Sequence, residues 1–228
     1  MRVALTRPEP GPLAARLESL GATVVHVPLI EISDAPGLTA ALARLESFDW
    51  LVVTSVNGAV RVGAAAAEHP SLRLAAVGPA TAAALAAEAG RPVDLVPTLA
   101  QAEGLLAEFP PAPARVLVAQ ADRARRALAD GLAAAGHDVE SVIAYRTVVR
   151  RPDADEFERL RAVDAVVLAS GSAATGWVEA LGTTTPPVVI AIGPVTADAA
   201  RRLGLAVTHV AASPDDDAIV DILVRALP

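Results

Sequence analysis

The chain has 228 residues, 53% of them hydrophobic, and a formal net charge of −7; that length holds a sizeable core as one large domain or two small lobes. It has no cysteine, and all 19 basic residues are arginine, which excludes disulfides, thiolate nucleophiles, Schiff bases and a P-loop lysine. His26, His69, His137 and His209 form no zinc motif, so no metal is expected, and the acidic balance argues against nucleic acid. No apolar run reaches membrane-spanning length. The opening MRVALTRPEP enters a strand-like run at once, unlike a targeting segment, so the cytoplasm is the expected address.

In chain order, strands are predicted at Val3–Thr6, Thr23–Ile32, Trp50–Thr54, Leu74–Val77, Val93–Val96, Val116–Ala119, Val139–Val149, Ala165–Ala169, Val188–Ile192 and Val207–Val210. Helical stretches fall at Pro12–Leu20, Gly58–Glu68, Ala80–Ala89, Ala124–Ala135, Ala173–Leu181 and Thr196–Leu203, and PDADEFER (Pro152–Arg159) reads as a capped, charged surface helix. Runs such as DWLVVTS and DAVVLAS are apolar without alternation, as parallel strands covered by helices on both faces should be. The alternation of strand and helix makes this an α/β fold with parallel sheets.

The chain also repeats itself. A shift of 115 residues sets Asp49–Ala59 on Asp164–Ala174 and AVGPATA at Ala76 on AIGPVTA at Ala191; a shift of 113 sets RVALT at Arg2 on RVLVA at Arg115. Ten strands in two related sets of five predict two similar five-stranded lobes, because one ten-stranded twisted sheet would be unusually wide. Thr23–Ile32 and Val139–Val149 are the longest strand-like runs and suit segments that cross between lobes. The expected division is then residues 1–33 with 149–228, and residues 37–146, with linkers near 33–37 and 146–151. The proline-rich EFPPAPA (Glu108–Ala114) marks where contiguous halves would join instead.

Ligands of open parallel sheets bind beyond the carboxyl ends of the strands, where helix N-termini present free N–H groups. The polar residues there are Thr6 and Arg7; Thr54, Ser55 and Asn57; Gly78 and Thr81; Gln120 and Arg123; Ser170 and Ser172; and Gly193 and Thr196. Most are hydroxyls or small residues, suited to binding an anion jointly with the backbone. In Gly-Pro-x-Thr-Ala, Gly permits the turn, Pro fits the first helical turn and Thr is able to cap, so structure alone also accounts for the phrase. Tyr145, the one tyrosine, lies in a predicted crossing strand.

The ordered set VALTRP, DWLVVTSVNGAV, AAVGPATAAAL, DRARRALADGLAAAGHDVESVIAYRT, DAVVLASGSAA and AIGPVTADAARRLGL resembles the uroporphyrinogen-III synthase family over essentially the whole chain. The resemblance implies two α/β lobes joined by a two-stranded linker, the first built from both chain ends. It implies a cofactor-free enzyme of tetrapyrrole biosynthesis, a lyase that closes the linear hydroxymethylbilane with loss of water and inversion of the last ring, through a spiro intermediate. It further implies Tyr145 as the group assisting the departing hydroxyl, Thr81, Thr196 and Ser55 with nearby N–H groups as carboxylate binders, and Arg7 and Arg123 as charge partners. Ala169 stands where the family has a threonine, and Ala119-Gln120-Ala121 replaces its Arg-Gly. A monomer is the default expectation. A non-catalytic two-lobe sensor of a small anion has the same architecture and is the alternative.

Overall fold

The computed structural model describes residues 1–226. Two compact units divide the chain: one runs from Met1 to Glu31 and resumes from Val148 onward, the other is Ile32–Thr147. Each carries a five-stranded sheet.

The first unit's sheet contains β1 (Arg2–Leu5), β2 (Thr23–His26), β8 (Ala165–Leu168), β9 (Val188–Ala191) and β10 (His209–Val210), in the order β10-β9-β8-β1-β2. All four neighbouring pairs are parallel. On one face α1 (Gly11–Ser19) and α10 (Asp216–Ala226) bury Leu13, Leu17, Ile219 and Leu223 against Val3, Leu5 and Val167. On the other, α7 (Ala154–Arg161), α8 (Gly171–Leu181) and α9 (Pro194–Arg202) contribute Leu160, Trp177 and Ala200 to a core with Ala4, Val166 and Leu168.

The second unit's sheet contains β3 (Ile30–Asp34), β4 (Trp50–Val53), β5 (Arg73–Ala76), β6 (Arg115–Ala121) and β7 (Asp138–Val149), in the order β3-β7-β6-β4-β5. The pairings among β4, β5, β6 and β7 are parallel. Helices α3 (Val56–Ala67) and α4 (Pro79–Ala89) cover one face with Val62, Ala66 and Leu85. The opposite face is packed by α5 (Ala102–Glu108) and α6 (Ala127–Ala134) through Leu105, Leu128 and Leu132. Both faces of each sheet are therefore dry, which is why the strands read as continuous apolar runs.

Two predicted strands need correction. The run Thr23–Ile32 is not one strand: Val27, Pro28 and Leu29 interrupt it, β2 joining the first sheet and β3 the second. Pro28 has no N–H to give a ladder, and the guanidinium of Arg150 donates from Nη1 to the Pro28 carbonyl at 2.8 Å. The run Val93–Val96, between Pro92 and Pro97, forms no strand and keeps only a bridge from Leu95 to Ala75. Each sheet still has five strands, because the split run supplies two. Val207–Val210 contracts to His209–Val210. The charged helix expected at PDADEFER is present, with Asp153 and Glu156 forming a reciprocal capping box.

Candidate functional site

Parallel pairing brings the carboxyl ends of the strands to one edge of each sheet. In the first unit the chain leaves β1 toward β2 on one side and runs β8-β9-β10 on the other, so the reversal lies between β1 and β8. In the second it leaves β4 toward β5 and β6 toward β7, so the reversal lies between β4 and β6. Crevices of this kind are where open α/β sheets take ligands.

The turns at these edges occur as matched pairs. Ser55 caps α3, its Oγ accepting the Gly58 N–H at 3.2 Å, and Ser170 caps α8, its Oγ accepting the Ala173 N–H at 3.1 Å. Gly78 precedes α4 and Gly193 precedes α9, each followed by a proline in the first turn and each without a side-chain cap. Both glycines are extended, with φ of −159° and 178°. Thr81 and Thr196, on the third helical position, are each 7% exposed. Among the described residues no hydrogen bond involves either threonine hydroxyl, although Ser55 and Ser170 are committed to their caps. In the first unit, Gly193, Pro194, Val195 and Thr196 line one side of a hollow of about 260 Å³, with Ala211–Pro214 opposite.

The two reversal points are tied by one hydroxyl each. Thr6, fully buried, donates from Oγ1 to the Val167 carbonyl on β8 at 3.3 Å. Thr54 donates from Oγ1 to the Ala119 carbonyl on β6 at 3.5 Å. Under the repeat, Thr54 corresponds to Ala169 and Thr6 to Ala119, so the threonine missing from β8 is supplied by the neighbouring strand. The bridge is kept in both units with the donor strand exchanged.

The remaining predicted residues divide by what they touch. Arg7 is occupied within its own unit: Nε and Nη2 donate to the Pro10 carbonyl at 3.1 and 2.6 Å, and Nη1 lies 3.6 Å from Asp216. Arg123 is exposed in the turn after β6, with no ion pair among the described residues, and Asn57 is exposed on the first turn of α3. Ser172 is half-buried at the start of α8. Tyr145 is 7% exposed, its ring packed into the core beneath α3 and α4.

The placement of Tyr145 depends on a bulge that the sequence pattern did not reveal. Gln120 on β6 pairs with Ile143, but Ala121 pairs with Tyr145, so Ala144 is skipped. Ala144 and Tyr145 are consequently both buried in the same core, where strict alternation would turn one outward. The Asp122 N–H donates to the Tyr145 carbonyl at 3.1 Å, holding the far side of the bulge. Among the described residues no hydrogen bond involves the Tyr145 hydroxyl. No group of three or more His, Asp or Glu capable of holding a metal occurs among them either, and no helix is long and apolar enough to cross a membrane.

The committed and uncommitted hydroxyls separate in a stability measurement. Thr81→Val and Thr196→Val should change urea-unfolding stability by less than about 0.5 kcal/mol, because a methyl replaces a hydroxyl that makes no hydrogen bond among the described residues. Ser55→Ala and Ser170→Ala should each cost about 1 kcal/mol through the lost cap. A loss above the cap value in either threonine variant would make that hydroxyl structural.

Residues 11–221 match the family model described as Uroporphyrinogen-III synthase HemD. A protein of Oryza sativa subsp. japonica named "Uroporphyrinogen-III synthase, chloroplastic" is 27% identical over 230 residues, spanning 94% of this chain and 76% of its own length. The "Uroporphyrinogen-III synthase" of Synechococcus elongatus is 36% identical over 108 residues, a match covering 43% of this chain and 40% of that protein. Two solved structures share the fold: a uroporphyrinogen III synthase mutant from the extremely thermophilic bacterium Thermus thermophilus, with TM-score 0.65, 23% identity and coverage of 99% and 98% of the two chains; and uroporphyrinogen-III synthetase from Helicobacter pylori, with TM-score 0.71, 17% identity and 99% coverage of each chain.

Proposed function

Because the chain belongs to the uroporphyrinogen-III synthase family, we propose that it closes hydroxymethylbilane to uroporphyrinogen III, expelling the terminal hydroxyl as water and inverting the last ring. Forming a carbon–carbon bond with loss of water makes this a cyclising lyase activity. The observation that carries the reading is the matched pair of uncapped Gly-Pro-x-Thr turns, each with a largely buried threonine whose hydroxyl makes no hydrogen bond among the described residues.

The linear substrate bears eight carboxylates. Such a ligand needs many donors and little else, and the donors here suit it. Helices α3, α4, α8 and α9 begin at the strand ends, where their first N–H groups and the positive end of the helix dipole favour negative charge. Thr81 and Thr196 add a hydroxyl each, and Arg123 an exposed guanidinium. Carboxylates bound to ionic or oriented donors gain roughly twice what neutral hydrogen bonds do. A negative net charge does not oppose this, since the donors at the strand ends create a local field of the opposite sign.

Closure without an enzyme gives the uninverted isomer, so the enzyme's work is to hold the chain in one reactive fold. Positioning of that kind contributes up to about 7–11 kcal/mol in favourable cases. Departure of the hydroxyl is helped by a donor, and the phenol of Tyr145, free of any bond within the described residues, is the group we assign to it. The family assignment favours this chemistry over a sensor of the same architecture.

Two assays test the reading. Purified protein given freshly made hydroxymethylbilane should yield mainly isomer III; isomer I alone, at the spontaneous rate, would overturn the activity. Tyr145→Phe should lower kcat by about 10²-fold, within the range of general acid assistance, with an unchanged unfolding transition. Wild-type turnover in that variant would return Tyr145 to a purely packing role.

A further inference from the structure

Nothing in the assignments above uses Arg61, which projects from the middle of α3. Its side chain is 21% exposed, and the guanidinium carbon lies 5.7 Å from the centre of the Tyr145 ring. Its edge is anchored on three sides. Nε donates to Asp34 Oδ1 on β3 at 3.2 Å, Nη1 to the Asn57 carbonyl on α3 at 3.1 Å, and Nη2 to the Ile32 carbonyl on β3 at 3.5 Å.

The Asp34 carboxylate is 91% exposed, so that bond alone is a surface ion pair, and the two backbone carbonyls are what add to it. An ion pair at the surface contributes little and leaves both side chains mobile. Here the planar fork is fixed by acceptors spread over two different elements, and only its face is left to meet the phenol, a geometry that arginine supports and lysine does not. The backbone that carries the ring is fixed by the bulge at Ala144 and by the bond from the Asp122 N–H to the Tyr145 carbonyl. The hydroxyl itself takes no part in either restraint. A ring covered on one face and carried on a fixed backbone, with a free hydroxyl, is what a donor acting on a departing group requires, because misplacement by about 1 Å costs on the order of 10²-fold in rate.

We infer that Arg61 is a positioning residue for the proposed reaction: anchored to Asp34, Asn57 and Ile32, its guanidinium face holds the Tyr145 ring so that the phenol reaches the leaving hydroxyl. The inference rests on the role proposed for Tyr145, and the experiment separates the two.

Steady-state kinetics are measured on wild type, Arg61→Met, Arg61→Lys, Tyr145→Phe and the double variant Arg61→Met/Tyr145→Phe, with the thermal unfolding midpoint of each. Arg61→Met should lower kcat about tenfold while KM stays within about twofold, since the residue binds no carboxylate of the substrate. Arg61→Lys, which keeps the cation but not the fork, should fall between Arg61→Met and wild type. In the Tyr145→Phe background, Arg61→Met should cost almost nothing further, because the group it positions is gone.

Unchanged kcat in Arg61→Met beside a slow Tyr145→Phe would overturn the inference and leave the tyrosine's role intact. So would an equal, multiplicative loss in both backgrounds, which would mean that Arg61 acts independently of the phenol. If Tyr145→Phe turns over at the wild-type rate, the tyrosine assignment fails and the inference fails with it. Should Arg61→Met not fold, Arg61→Lys alone and combined with Tyr145→Phe is judged by the same KM-against-kcat and coupling criteria.

Discussion

At the four turns that follow β4, β5, β8 and β9 the protein has to dispose of the N–H groups that the first turn of a helix leaves without partners. It does so in two ways. At Ser55 and Ser170 the preceding side chain accepts one of them and the turn is closed. At Gly78 and Gly193 no side chain is available, proline removes one donor, and the remaining first-turn N–H groups have no side-chain cap, with a threonine two residues after the proline. Parallel pairing delivers both kinds of turn to the same edge of each sheet. A capped and an uncapped turn are thus alternative answers to one constraint, and the choice between serine and Gly-Pro decides which of them a turn takes.

The same economy governs the reversal points. Thr6, fully buried, and Thr54, part-buried, each place their hydroxyl on a carbonyl of the adjacent central strand. The repeat keeps that bond and not the residue that makes it: the alanines at 119 and 169 are each relieved by the neighbouring strand. The arginines at the chain's two passages between sheets play related parts. In the first unit Arg150 joins the Pro28 carbonyl to Glu156 of the α7 capping box, and this pairing holds the Glu156 carboxyl below the usual carboxylate range. In the second, Arg61 joins β3 to α3 beneath Tyr145.

Much of this was legible beforehand because it is written in local terms. Unbroken apolar runs gave parallel, doubly covered sheets, and the duplicated Gly-Pro-x-Thr phrase and the serine caps fall where their residue types require. What escaped was tertiary. The β-branched content of Thr23–Ile32 outweighed Pro28 in the pattern, whereas in the sheet a missing N–H ends a ladder outright. Val93–Val96 is strand-like in composition but lies between two prolines with only Leu95 reaching Ala75. The bulge at Ala144 is a matter of register, which no single strand records. Arg61 sits in AVRVG, where spacing suggests an ordinary surface arginine; its partners Asp34 and Tyr145 are distant in sequence and meet it only in the fold. Arg7 shows tertiary context of another kind, since the cation at this strand end is engaged by Pro10 and Asp216, which spacing does not disclose.

The central claim is that Thr81 and Thr196, one on each sheet edge, hold carboxylates of the substrate. The most direct measurement is KM for hydroxymethylbilane in Thr81→Val, Thr196→Val and the double variant. Loss of a hydrogen bond to a charged group, about 1.5–3 kcal/mol, should raise KM about tenfold or more in each single variant and further in the double, with isomer III still the main product. A double variant that keeps the wild-type KM would contradict the account.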